Sequence, residues 1–176
     1  MLHDTQLLKR LAQIRLVILD VDGTLTDGGI YLAEGMELKR FDVQDGAAVT
    51  FLEKAGVEVA VVSGRTSPSV EKRCRELQIK EVHQGVKSKL AVFESLMAQR
   101  QLTPMQVAVM GDDLPDIPMM TRAGVSAAPA NAAKEVRVRA NVVTHALGGA
   151  GAVREFAELL LKAQDRWHDI LGPYLE

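Results

Sequence analysis

A chain of 176 residues, 47% hydrophobic and 25% charged, is long enough to bury a core and too apolar to stay disordered. Its formal net charge of −2, with 21 Lys and Arg dispersed among 23 Asp and Glu, argues against nucleic acid or an anionic membrane as the main partner. The single cysteine, Cys74, excludes an internal disulfide and a cysteine-built zinc site, and is expected as a small core residue on a helix.

Leu7, Leu8, Leu11 and Ile14 recur at helical spacing and predict a short amphipathic helix over 4–14. The segment MLHDTQLLKRLAQIR carries charge throughout, and no stretch approaches the ~20 apolar residues of a membrane span, so a soluble, cytoplasmic protein is expected. A buried strand is expected over 16–20. Residues 30–33 and 37–42 flank Glu34-Gly35-Met36 and predict a β-hairpin. Asp45-Gly46 opens a helix through Ala55, closed by Gly56. A strand over 57–62 runs into Ser63-Gly64-Arg65, and Ser67-Pro68 starts a helix to Leu77. A short strand at 81–83, a helix over 89–100, a connector at Thr103-Pro104 and a strand over 107–110 follow. A helix over 116–122, short strands near Val125 and at 142–143, and a helix over 152–165 complete the order. Strands alternating with helices predict an α/β fold, a Rossmann-like parallel sheet flanked by helices. With no repeat, linker or composition shift, residues 1–176 read as a single domain.

Three strands end in polar triplets: Asp20-Val21-Asp22, Ser63-Gly64-Arg65 and Gly111-Asp112-Asp113. Right-handed crossovers bring the carboxyl ends of parallel strands to one rim, where ligands bind in such sheets. Each triplet has a plainer reading alone: an Asx-capped turn, an ordinary strand-to-helix turn, a helix cap. Their joint placement is more informative than any one of them. Two carboxylates two residues apart in LVILDVDGTLTDG (16–28) repel each other, which gives the bare fold nothing. Lys89 follows Ser88, an apparent N-cap, and so sits where the helix dipole disfavours a cation, which suggests use.

Other motifs fail. An EF-hand over DVDGTLTDGGIYLAE needs glycine sixth, where Leu25 stands. No strong strand precedes the Gly148, Gly149 and Gly151 run, and the third glycine of a dinucleotide loop is missing. The four histidines have no metal-ligand spacing, with His83 the best placed to approach a ligand.

The ordered set DVDGT (20–24), the Ser63 strand end, Lys89 and GDDLPD (111–116) resembles the four motifs of the haloacid dehalogenase superfamily of phosphohydrolases. A closer resemblance, nearly end to end, is to a capless branch acting on an eight-carbon sugar-acid phosphate in building the inner sugar of lipopolysaccharide. It rests on LDVDGTLTDGGIYL, KRFDVQDG, VSGR with EKRC, QGVKSKL, GDDLPDIPMM and GGAGAVREFAELLL. Thr24-Leu25 departs slightly from that branch and adds nothing to the substrate choice.

The resemblance implies Asp20 as nucleophile, Asp22 as acid and base, and Ser63, the Gly64 amide and Lys89 on the phosphoryl group. It implies Mg²⁺ on Asp20, the Asp22 carbonyl and Asp112, with Asp113 behind them orienting the lysine, and Asp116 holding water or capping a helix. Asp42, Val43, Gln44, Asp45, Gly46, Thr50, Arg65 and Arg73, with Asp22, Gly64 and Lys89, are implied at the sugar acid. The gaps between motifs hold only a β-hairpin flap and no cap domain. A homotetramer is therefore expected, with hairpin 28–42 and the tail 166–176 at inter-subunit sites. A nine-carbon sugar-acid phosphate and a catalytically silent binding module on the same fold remain the alternatives.

Overall fold

The computed structural model describes residues 5–175. His3, Asp4 (the first residue of the expected 4–14 helix) and Glu176 (the last of the expected tail) lie outside them.

Six strands form one wholly parallel sheet: β1 (Leu16–Leu19), β4 (Glu58–Val62), β5 (Glu81–His83), β6 (Val107–Met110), β7 (Val125–Ala128) and β8 (Val142–Val143), in the order β5-β4-β1-β6-β7-β8. β1 lies inside the sheet with β4 and β6 on its two sides, so the chain winds outward from it in both directions. That reversal of strand order opens a crevice beyond the carboxyl end of β1.

Strand residues alternate between two cores, as the period of two demands. Val17 and Leu19 face α1 (Thr5–Leu11), α2 (Val43–Lys54) and α7 (Ala152–Ala163). Leu16 and Ile18 face α4 (Lys89–Arg100) and α5 (Ile117–Met120). Both sheet faces are covered, which is why β1, β6 and β7 are buried at every position. α3 (Pro68–Glu76) keeps Cys74 in the first core. α6 (Lys134–Arg137) and α8 (Trp167–Leu171) are absent from the sequence-based expectations.

Several boundaries move. The hairpin is β2 (Tyr31–Ala33) and β3 (Met36–Leu38), turning on Glu34-Gly35 with Gly35 at φ +69°, so Met36 belongs to a strand. Phe41 pairs separately with Thr26. α2 starts at Val43 because the Asp42 carboxylate caps it, accepting from the Gln44 amide at 2.7 Å and the Asp45 amide at 3.2 Å. The last long helix stops at Ala163, with Asp165 in the left-handed region, before α8. α8 and Tyr174 fold onto their own chain, where Trp167 and Tyr174 meet Phe51 edge-on at centroid distances of 6.1 and 6.4 Å. Among the described residues no helix is long and apolar enough to cross a membrane.

Candidate active site

Asp20 continues β1 by one residue, its amide donating to the Met110 carbonyl at 3.0 Å. The chain then makes one wide turn over Val21–Leu25, broken by Gly23 at φ +94°. Glycine is required there twice over: the left-handed backbone favours it, and a Cβ would strike the Asp112 carboxylate. Thr26 Oγ1 pins the turn, accepting from the Gly23 and Gly28 amides at 3.3 and 3.2 Å. Gly148 and Gly149, unexplained by any dinucleotide loop, pack against this turn. The Gly149 amide donates to the Thr24 carbonyl at 2.9 Å, and a Cβ on Gly148 would fall on the Gly23 carbonyl.

Asp20, Asp22, Ser63, Gly64, Arg65, Lys89, Asp112, Asp113 and Asp116 line one cleft of about 210 Å³ at the carboxyl ends of β1, β4 and β6. Lys89 Nζ lies 2.5 Å from Asp20 Oδ1 and 2.5 Å from Asp116 Oδ1. Asp116 is buried, and its second oxygen accepts from the amides of Asp112 and Asp113, each at 3.2 Å. The residue orienting the lysine is therefore Asp116. Asp113 is exposed at the cleft rim, and the role expected of it passes to its neighbour. Asp116 does not face open water and does not cap α5, but its Oδ2, accepting from the Asp113 amide, closes a capping box with Asp113 over the single turn Leu114–Asp116 while Oδ1 holds Lys89.

One carboxylate oxygen each from Asp20, Asp112 and Asp116 lies within 4.8 Å of the others. Burial, then the Asp116 carboxylate, raises Asp20 well above the usual carboxylate range, against the pull of Lys89. Burial and Asp116 push Asp112 up to about 6. Burial works to deprotonate Lys89, but Asp20 and Asp116 outweigh it and raise its pKa. Three acids facing one ammonium form a site short of positive charge. Its donors are all hard oxygens, which suits a divalent cation of the Mg²⁺ type. Among the described residues the converging oxygens are those of Asp20, Asp112 and Asp116, with Lys89 shared between the first and the last.

Ser63 is buried at the end of β4, its Oγ accepting from the Arg65 amide at 3.2 Å and its O–H left for a ligand. Arg65 is half exposed. The remaining residues expected at the sugar acid are elsewhere. Val43, Gln44 and Thr50 are exposed on α2, outside the cleft. Asp42 is the α2 cap, and its carbonyl lies 3.4 Å from Arg73 Nη2. Gly46 lets α2 approach Arg73 and Leu77 of the α3 segment. Asp45 is a correction of a different kind. Fully buried, it accepts from the Gly151 amide at 3.1 Å and the Arg154 amide at 2.9 Å, capping α7 from α2. His83 pairs with Glu81 at 3.1 Å and does not line the cleft.

Sequence reasoning missed Lys39. Its side chain is wholly covered although its backbone is not, and Nζ contacts Asp22 Oδ1 from the base of the hairpin. Alternation separates Met36 and Leu38 from Glu37 and Lys39 but does not say which face is covered; here the apolar pair points outward and the charged pair inward, the reverse of an ordinary surface hairpin.

An open parallel sheet with paired aspartates after its first strand and a lysine held between buried carboxylates defines a haloacid dehalogenase-like hydrolase, and a model of that family matches residues 81–153. The chain belongs, within that class, to the family of the 3-deoxy-D-manno-octulosonate 8-phosphate phosphatases. It is 43% identical to that phosphatase of Salmonella typhi over 96% of this chain and 90% of the relative. A crystal structure described as a probable YrbI family phosphatase from Pseudomonas syringae superposes with a TM-score of 0.96 at 44% identity, covering 98% of this chain and 99% of that one. The phosphatase from Moraxella catarrhalis, solved with magnesium ion, phosphate ion and KDO, gives a TM-score of 0.94 at 36% identity over 98% of this chain and 99% of that one.

Proposed function

We propose that this chain is a Mg²⁺-dependent phosphomonoesterase that hydrolyses 3-deoxy-D-manno-octulosonate 8-phosphate to the free sugar acid and phosphate, in lipopolysaccharide biosynthesis. The observation that carries the reading is the buried Asp20 carboxylate at the β1 end, held by Lys89 at 2.5 Å in a cleft shared with Asp112 and Ser63.

Phosphate monoesters are among the slowest substrates, needing up to ~10²¹-fold acceleration, while one general acid supplies about 10²–10⁴. Splitting the reaction through a covalent intermediate supplies much of the difference. Asp20 attacks phosphorus, the bond to the sugar oxygen breaks, and Asp22 protonates that oxygen as it leaves. Asp22 then takes a proton from water, which attacks the aspartyl-phosphate and frees Asp20. Asp22 suits both steps because it lines the cleft two residues from the nucleophile. The Ser63 hydroxyl, the Gly64 amide and Lys89 bind the phosphoryl oxygens.

A carboxylate ~4 Å from a phosphate charge is repelled by about 4 kcal/mol per unit pair at an effective dielectric near 20. Bound Mg²⁺ supplies the charge that offsets this repulsion. Asp20, the Asp22 carbonyl and Asp112 would hold it. Arg65, the half-exposed guanidinium of the cleft, is assigned to the substrate carboxylate, which it can bind through paired N–H groups.

Residues 1–176 are taken as one domain, supported among the described residues by a six-stranded sheet with a core on each face. A homotetramer is proposed with it, supported by the apolar side chains Tyr31, Leu32, Met36 and Leu38 that the hairpin leaves exposed. A cytoplasmic location is proposed too, in keeping with a free, buried Cys74.

Phosphate release from the eight-carbon ester and from a nine-carbon sugar-acid phosphate, each with and without Mg²⁺, tests the reading. Faster, Mg²⁺-dependent release from the eight-carbon ester is expected. A preference for the nine-carbon ester would reassign the substrate, and no release from either would leave a binding module.

A further inference from the structure

Four charged side chains close a ring beside the cleft. Asp22 contacts Lys39 through Oδ1 and lies 3.8 Å from Arg65 Nε through Oδ2. Arg65 Nη2 reaches Glu37 Oε2 at 3.2 Å, and Glu37 Oε1 lies 3.8 Å from Lys39 Nζ. Signs alternate around the ring, which is formally neutral. Two members come from the hairpin, one from the turn after β1 and one from the end of β4. Ser69 Oγ adds a tie, donating to the Glu37 carbonyl at 2.9 Å.

Lys39 has no route to substrate, since its side chain has no exposed surface. A covered ammonium loses its hydration and is tolerated only with close counter-charges. Those are Asp22, on the cleft, and Glu37, behind it. Asp22 keeps 22% of its side-chain surface open. It is thus held by the ring and still lines the cleft.

From this geometry we propose that Lys39 is the positioning residue for Asp22. The ring fixes the rotamer of the carboxylate that serves the leaving sugar oxygen and ties that rotamer to the seating of the hairpin. The proposal rests on Asp22 being the acid of the reaction. Placing a proton donor within hydrogen-bond reach of the leaving atom is the part of acid catalysis most sensitive to small displacements. The predicted signature is dependence on the leaving group. A sugar alkoxide needs its proton as the bond breaks, whereas p-nitrophenolate leaves without one.

The test measures leaving-group release in the first turnover, before water attack on the phospho-enzyme contributes, for 3-deoxy-D-manno-octulosonate 8-phosphate and p-nitrophenyl phosphate. Lys39→Met is expected to slow the sugar ester by about 10²-fold and the aryl ester at least about tenfold less, with Lys39→Arg restoring much of the difference. Equal losses on both esters, or none, would overturn the proposal. Asp22→Asn separates it from the underlying reading. If Asp22→Asn shows the leaving-group difference and Lys39→Met does not, the positioning role fails and the acid role stands. If Asp22→Asn shows none, both fall. Should Lys39→Met not fold, Glu37→Gln, which opens the ring with Lys39 in place, carries the same test. It is expected to give a smaller loss of the same selectivity, and a loss without selectivity overturns the proposal.

Discussion

Lys89 opens α4, where the helix dipole works against a cation by roughly 0.3–1 kcal/mol. Two carboxylates at 2.5 Å outweigh that, and the same pair leaves Asp112 facing Asp116 with little compensation. The consequence appears in the pH dependence of the metal-free protein. A carboxyl whose folded pKa is raised binds its proton more tightly when folded. The stability it contributes is therefore complete below the unfolded value of 3.8 and is lost as pH rises past about 6 for Asp112. With chelator present, the melting temperature should fall across that window, and Asp112→Asn should flatten the fall. Mg²⁺ should reverse it, because a cation favours the ionised acids. A melting temperature that rises from pH 4 to 6 in chelator, equally in both proteins, would count against this electrostatic account. Lys89 was legible from its sequence position alone, as a charge in the wrong place. Lys39 was not, because nothing local to KRF shows that the hairpin turns its polar face inward.

At the scale of elements, strand ends were easier to read than helix starts. The apolar runs before Asp20, Ser63 and Gly111 are buried strands because both sheet faces are covered, and a run of β-branched residues reports that directly. The α2 start was misread because two acids, Asp42 and Asp45, compete for the cap, and which one wins is decided by α7. Asp42 takes the cap, and Asp45 turns inward to amides 106 and 109 residues further along the chain. That pairing is set by packing alone. Asp45→Ala removes the cap of α7 and is expected to cost about 1–2 kcal/mol in urea unfolding, more than Asp→Ala at an exposed cap. An unchanged midpoint would show that water satisfies those amides equally well. The hairpin is read the other way, from what it leaves uncovered. Leu32 is 79% exposed and Leu38 52%, side chains that a solitary hairpin gains nothing by presenting. Light scattering should find a tetramer, and Leu32→Asp with Leu38→Asp should yield smaller species that remain folded. A monomeric parent would remove the assembly from the account.

For the whole molecule, the sheet order places the chemistry. Only at β1 do the windings toward β4 and toward β6 diverge, so the turns after these three strands share one crevice. The alternation of strands and helices in the sequence is enough to carry that inference. The expected substrate residues on α2 and α3 could not be placed the same way, since helix faces point where packing sends them. The tail, too, follows packing: Trp167 and Tyr174 both find Phe51 on their own chain, and Trp167 also meets the Arg154 guanidinium.

Every step of the chemistry passes through one bond, between an Asp20 oxygen and phosphorus. Rapid mixing with Mg²⁺ and 3-deoxy-D-manno-octulosonate 8-phosphate, an acid quench within the first turnover, and mass spectrometry of the peptide holding residues 16–28 test it directly. The account predicts a phosphoryl group on Asp20 that forms and decays at the rate of turnover, absent from Asp20→Asn, whose phosphate release is slower by at least about 10³-fold. Full-rate release from Asp20→Asn, or turnover with the phosphoryl group on another residue, would contradict it.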